Sequence, residues 1–250
     1  MNLEALYFDV AAGKTGAKNL TSINKRGSNR DIDTTTDPET IWPGAGVISY
    51  PTTARIHDVV STNANDADGG SGIQQLTIEG LDINWDPITE VVLMNGVTPV
   101  PTTKAFLRIN EVFVSLGTGS GTITATAQTD ATISAQFFGV QGKMLGLYYS
   151  VPRNHKAFLV QYYVNFDAPA TVSDSYVEWT LIDVNNNVSD PTSHYIAIEK
   201  QHAYRSTPFF SPRPFIAIGA KHDIRLDITN VDDSNTVASG GFDLILEKLN

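Results

Sequence analysis

Ala157-Phe158-Leu159-Val160-Gln161-Tyr162-Tyr163-Val164-Asn165-Phe166 places Phe158, Val160, Tyr162, Val164 and Phe166 at every second position. A helix would space its apolar residues by three and four; a period of two marks a pleated strand with one face buried and one wet. Aromatic and β-branched side chains fill the run, as pleated surfaces favour.

The same pattern recurs on both sides. Downstream, Val177, Trp179 and Leu181 share a face, and Ile224, Leu226 and Ile228 alternate with Asp223, Arg225 and Asp227. Upstream, Leu76 and Ile78 alternate with Thr77 and Glu79, and Leu107, Ile109 and Phe113 are assigned to one face of a longer run. Ile123, Ala125 and Ala127 oppose Thr122, Thr124 and Thr126, and Ile133, Ala135 and Phe137 oppose Thr132, Ser134 and Gln136. Turn chemistry separates these runs: Asn63-Ala64-Asn65-Asp66, Asp68-Gly69-Gly70, Asn95-Gly96 and the glycine stretch Gly117-Thr118-Gly119-Ser120-Gly121. Asn-Gly is the signature of a tight hairpin with two positive-φ positions, and the glycine stretch reads as a second hairpin loop. Prolines 208, 212 and 214 mark a crossover between Tyr204 and Pro214, because proline cannot serve a central ladder. About a dozen strands at roughly 10–15-residue spacing predict an all-β chain, a β-sandwich or jelly-roll-like fold.

Composition shifts divide the chain into an extended N-terminal arm over 1–46, a first β unit over 47–140 and a second over 141–250; one large sandwich also fits the pattern after the arm. The arm is rich in Gly, Asn, Ser and Thr. Its stretch 11–30 holds Lys14, Lys18, Lys25, Arg26 and Arg30 without an acid, before Asp31, Asp33, Asp37 and Glu39 follow. Two readings stand: a solvated loop, or an arm that docks on an acidic neighbour. In the crossover, Phe209, Phe210 and Phe215 must pack on the body or on a neighbouring subunit.

Across 250 residues, acids outnumber bases 27 to 17, for a net charge of −10. Such a body repels phosphate, so nucleic acid is not an expected partner. The absence of cysteine excludes disulfides, thiolate zinc sites and cysteine nucleophiles. No apolar stretch approaches the ~20 residues of a membrane-spanning helix, and no membrane partner is expected. Met1 to Val10 contains Glu4 and Asp9 and lacks the basic start of a secretory leader, so use without export, or release together with something larger, is expected.

Motifs for chemistry are sparse. His57, His155, His194, His202 and His222 show no metal-ligand spacing, and His57 and His222 are expected on a polar face or at a strand end. No G-x-S-x-G elbow occurs. The 117–121 glycine stretch leads into a strand and so lacks the helix N-terminus that cradles phosphate. Asn63, Asn65, Asp66 and Asp68 could gather oxygen ligands for calcium, although Ala67 breaks the EF-hand spacing and no glutamate closes the loop. Trp42, Trp85 and Trp179 are expected to pack. No catalytic, cofactor or metal residue is assigned.

Several segments together resemble a family of tailed-phage virion proteins. They are Gly27-Ser28-Asn29-Arg30-Asp31-Ile32-Asp33-Thr34; Thr40-Ile41-Trp42-Pro43-Gly44-Ala45-Gly46, where Ala45 replaces the usual glycine; Val60-Ser61-Thr62-Asn63-Ala64-Asn65-Asp66; Gly70-Ser71-Gly72; Gly80-Leu81-Asp82; Glu90-Val91-Val92-Leu93-Met94-Asn95-Gly96; Phe106-Leu107-Arg108-Ile109-Asn110; and Tyr149-Ser150-Val151-Pro152 through Lys156. The resemblance covers most of 27–165 and fades beyond. It implies a non-enzymatic structural protein of the virion that contacts other capsid or tail subunits and forms homo-oligomers. A capsid-surface decoration or cement subunit is the first reading; a tail component or receptor-binding fibre base is the second, and a carbohydrate-active domain a minor third. On this reading the assembly contacts are Lys14, Lys18, Lys25, Arg26, Arg30, Phe209, Phe210 and Phe215.

Overall fold

The computed structural model describes residues 9–10, 12–14, 19–33, 37–167, 176–186, 195–204, 209–212, 215–231 and 235–249. The chain is all-β. In order, its strands are β1 (Leu20–Ile32), β2 (Glu39–Thr40), β3 (His57–Ser61), β4 (Ile73–Leu81), β5 (Pro87–Leu93), β6 (Val100–Pro101), β7 (Arg108–Gly117), β8 (Thr122–Ala127) and β9 (Ile133–Phe138). They continue with β10 (Tyr148–Ser150), β11 (His155–Asp167), β12 (Tyr176–Asn185), β13 (Tyr195–Tyr204), β14 (Phe209–Phe210), β15 (Ile216–Ile218), β16 (His222–Val231) and β17 (Thr236–Lys248).

Four antiparallel sheets stack in pairs. In the larger sandwich one sheet runs β1-β17-β11-β14, with β15 also on β11, and the other runs β10-β16-β12-β13, with β2 also on β16. Between them lies a core of Tyr162, Val164, Phe166, Val177, Trp179, Leu181, Ile224, Leu226, Ile228, Phe242 and Leu244. In the smaller sandwich β6-β3-β8-β9 faces β5-β4-β7. Val59, Leu76, Ile78, Phe106, Ile109, Val112, Ile123, Ala125, Ala135 and Phe137 fill its core.

The smaller sandwich is an insertion in the larger one. The chain crosses at two neighbouring residue pairs. Ile41 packs into the larger core and Trp42 into the smaller; Leu147 returns to the larger and Tyr148 stays with the smaller. Outgoing and returning strands touch, through Leu147 N–H donating to Ile41 O at 2.9 Å and an edge-on Trp42–Tyr148 ring contact at 6.3 Å. Period-two geometry explains the division, since successive side chains point to opposite sides of an extended chain.

This corrects the arm expected over 1–46. Leu20–Ile32 is a 13-residue strand laddered along β17, from Leu20↔Glu247 to Ile32↔Thr236. Its Gly27, opposite Gly240, lets the crossing segments pass close by: a Cβ there would meet Leu147 Cγ and Ile41 O at 2.5 and 2.6 Å.

Three bulges also shift the expected faces. In β11 the pairing to β17 skips Val160, so the core face is Ala157 and Leu159 before the skip and Tyr162, Val164 and Phe166 after it. Phe158 therefore turns outward, where Lys156 Nζ lies 5.3 Å from its ring. In β7, Asn110 and Ser115 are skipped; around Asn110, Ile109 and Val112 turn inward, and Phe113 does not. In β9, Ser134 is skipped; Ala135 and Phe137 are buried, while Ile133 is exposed. A bulge adds one residue without a partner and re-aims its side chain.

Neither predicted hairpin forms. Gly96 takes φ +61° but Asn95 does not, and the pair wraps the 63–68 loop, with Gly96 N–H donating to Asp66 O at 2.7 Å. Gly117–Gly121 connects β7 to β8, which lie in opposite sheets. Of the Tyr204–Pro214 crossover, Phe209 and Phe210 pair with β11 as β14, whereas Pro208 and Pro214 lie outside the described residues.

Candidate functional site

Charged and polar groups gather where the two sandwiches meet. The inward face of β16 supplies Ile224, Leu226 and Ile228 to the larger core; its other face, expected to be wet, is covered. Asp223 and Asp227 there are fully buried, because the smaller sandwich and its crossing strands lie against them.

Asp223 is the centre of this seam. Arg108, the first residue of β7, reaches across with Nε at 3.1 and 3.2 Å and Nη2 at 3.0 Å from the carboxylate. Asn186 Nδ2 donates to the same group at 2.8 Å, and Ser150 Oγ donates to Oδ1. The guanidinium lies 4.2 Å from the Tyr50 ring centroid and 4.8 Å from that of Trp85, so two aromatic faces cover what the carboxylate leaves open. Burial and the nearby Asp223 charge push the Tyr50 phenol far above its ordinary value, so it stays neutral.

Two flanking contacts extend the seam. Asn110, re-aimed by its bulge, exchanges hydrogen bonds with the Ser150 backbone at 3.0 and 2.8 Å. Thr40 Oγ1 donates to Asp227 Oδ1 at 2.6 Å and accepts from Ile48 N–H at 3.1 Å, while Arg225 Nε donates to Asp227 Oδ2 at 2.9 Å.

Beside the seam runs a groove of 420 Å³, walled on one side by Ser22 to Lys25 of β1 and on the other by Glu79, Thr89 and Glu111. Lys25 Nζ donates to Glu111 Oε2 at 2.7 Å and Asn110 O at 2.6 Å. Burial lowers the Lys25 pKa from its ordinary value, and the Glu111 charge opposes that shift. Glu79 faces Glu111 directly across the β4–β7 ladder.

The expected assembly residues do not form one patch. Lys14 is exposed and pairs with Asp9 at 2.7 Å. Lys18 lies outside the described residues. Lys25 is buried, so it is a joint residue and not a surface anchor. Arg26 pairs with Asp243 at 3.0 Å and covers Tyr163 at 5.6 Å; Arg30 covers the Phe138 ring at 5.1 Å. Phe210 stacks on Tyr162 at 4.8 Å and meets Trp179 edge-on at 6.1 Å. Phe215 is half-buried, while Phe209 is 59% exposed.

Other sequence candidates resolve as structure. Asp66 is fully buried beneath the loop, with Oδ1 accepting from Ile73 N–H at 2.8 Å and Oδ2 from Ser61 Oγ at 2.6 Å. Asn63 Oδ1 accepts from Asn65 N–H, so these oxygens organise the turn. Among the described residues no group of three or more His, Asp or Glu is placed to hold a metal ion. His57 opens β3, the strand end that the sequence allowed, and is fully buried there: Nε2 lies 2.8 Å from Ser134 Oγ and Nδ1 3.0 Å from Arg55 O. His222 lies 2.8 Å from Asp183 Oδ1. His194 lies outside the described residues, and His202 is described by its backbone alone. All three tryptophans are buried, as expected. Among the described residues no helix is long and apolar enough to cross a membrane.

The sequence reading missed Arg108, Asp223 and Asp227. Their signal was present: a lone arginine between Leu107 and Ile109, an aspartate between His222 and Ile224, and another between Leu226 and Ile228.

No protein-family model and no curated protein sequence matches the chain. Among solved structures, a chain described as "Structure of infectious bursal disease virus Gx strain" is similar at 10% identity, over 92% of this chain and 72% of that one, with a TM-score of 0.23. A likeness this slight carries no argument.

Proposed function

We propose that the protein is a non-enzymatic structural component of a tailed-bacteriophage particle, a decoration or cement subunit on the capsid surface that assembles with copies of itself and with neighbouring virion proteins. One observation carries this reading: four of the segments that resemble the phage virion family, 40–46, 80–82, 106–110 and 149–156, meet at the joint between the sandwiches. Thr40 to Gly46 make the outgoing crossing and hold Asp227 through Thr40. Phe106 to Asn110 supply Arg108 and Asn110; Ser150 exchanges hydrogen bonds with Asn110, and its hydroxyl donates to Asp223, the carboxylate that Arg108 grips. Gly80 lies where a Cβ would strike Arg108 O. A joint of buried ion pairs fixes two sandwiches in one orientation, a property that a repeated part of a shell requires. Exposed Val91, Leu93, Val97 and Phe209 supply apolar surface for neighbours to cover.

A density map of purified particles tests the proposal. Copies distributed over the shell support it. A single ring at the tail would replace it with the tail reading. Absence from particles, together with polysaccharide turnover lost on changing one carboxylate, would overturn it.

A further inference from the structure

The long strand β1 is the edge of its sheet, and only part of that edge is covered. Ser28 N–H donates to Leu145 O at 3.1 Å, away from β17. The β1–β17 register runs without a shift from Leu20 to Asn29, so Ser22 and Asn24 share the parity of Ser28. Their backbone N–H and C=O groups therefore also point away from β17. Among the described residues these groups have no backbone partner on that side. Two residues of extended chain set them about 7 Å apart, the repeat of a β ladder.

That free edge borders the 420 Å³ groove. Across it, Glu79 and Glu111 stand opposite each other; Lys25 donates to Glu111 and to the Asn110 carbonyl and reaches Glu79 through its charge alone, with Lys143 as a second cation nearby. Among the groups that line the groove, two carboxylates face one ammonium, and among the described residues Glu79 forms no ion pair. Like charges directly opposed on a ladder are unfavourable, so a further cation there would be stabilising.

We propose that this groove binds an extended, basic segment of a neighbouring chain as an added strand on β1. Backbone groups of the segment pair with Ser22 and Asn24, and a lysine or arginine from it reaches Glu79. Main-chain pairing supplies the attachment and the acidic wall selects the charge. This does not depend on the particle being a phage, since it rests on the edge and groove alone.

The probe is acetyl-Lys-Val-Lys-Val-Lys-Val-amide, titrated against the full chain at low salt by calorimetry. Saturable binding is expected, tenfold weaker for Ser22→Pro and unchanged for Ser22→Ala, because proline removes only the outward N–H and is tolerated on an edge. Glu79→Gln should weaken binding threefold or more and flatten its salt dependence. Circular dichroism checks that Ser22→Pro folds. If it does not, amide exchange in the wild-type protein decides: the peptide should slow Ser22 and Asn24. No saturable binding, unchanged affinity in a folded Ser22→Pro variant, unprotected amides, or equal binding of the corresponding Glu-Val peptide would each overturn the proposal.

Discussion

Arg108 and Asp223, separated by 115 positions, form a buried fork between the two sandwiches, with side chains 8% and 3% exposed. Each residue comes from a different core's sheet, so the pair holds two independently packed bodies together. Removing one partner leaves an uncompensated buried charge, a far larger penalty than the pair's net worth. Arg108→Ala and Asp223→Ala should each lower stability by about 3–5 kcal/mol in urea denaturation. Arg108→Lys should recover only part of this, because an ammonium cannot grip both oxygens and stack on both rings. Wild-type midpoints in the alanine variants would refute the role.

Burial is the largest influence on His57 and lowers its pKa from the ordinary 6.5; the Arg55 carbonyl and the charges of Asp130 and Asp58 oppose it. With Nδ1 against a carbonyl, the neutral ring carries its proton there and accepts from Ser134 at Nε2. The unfolded chain therefore binds a proton at a pH where the folded chain does not. Stability is fully present above 6.5 and falls as pH drops from 6.5 toward the lowered folded value. His57→Gln should flatten this part of the profile, read as Tm between pH 7.5 and 5. An identical slope in the variant would assign the dependence elsewhere.

Gly27 lies against Leu147 and Ile41 where the returning strand passes over β1. Gly27→Ala should cost about 1–3 kcal/mol through overpacking. The combination with Leu147→Ala should be somewhat less destabilising than the sum, since it removes the Leu147 Cγ contact while the backbone contacts with Ile41 O and Leu147 N remain. Strict additivity in thermal melts would show that the contact is not the cause.

The Asp66 carboxylate accepts from Ile73 N–H and Ser61 Oγ. Asp66→Ala should cost about 1–3 kcal/mol by leaving these buried donors unpaired. Adding millimolar calcium should leave the wild-type Tm unchanged, because the oxygens that would bind it already serve the loop. A calcium-dependent rise in Tm, absent from Asp66→Ala, would reverse this assignment.

The residues alone determined that the chain is all-β, because a period of two is a local property. Val177, Trp179 and Leu181, or Ile123, Ala125 and Ala127, reveal their buried face without knowledge of any partner. Three matters were decided only in three dimensions. Bulges at Asn110, Ser134 and Val160 depend on the neighbouring strand's register, which no single run contains, and each flips the parity of the strand residues beyond it. The basic segment of β1 reads as a loop by composition. It becomes a strand because β17, more than 200 residues away, offers a continuous ladder and a glycine opposite Gly27. Asp223 and Asp227 read as solvent-facing by alternation. Their burial comes from a second sandwich inserted between Ile41 and Leu147, whose Arg108 and whose crossing residue Thr40 satisfy them. Alternation reports that one face is apolar; whether the polar face meets water or another domain depends on which distant groups arrive to satisfy it.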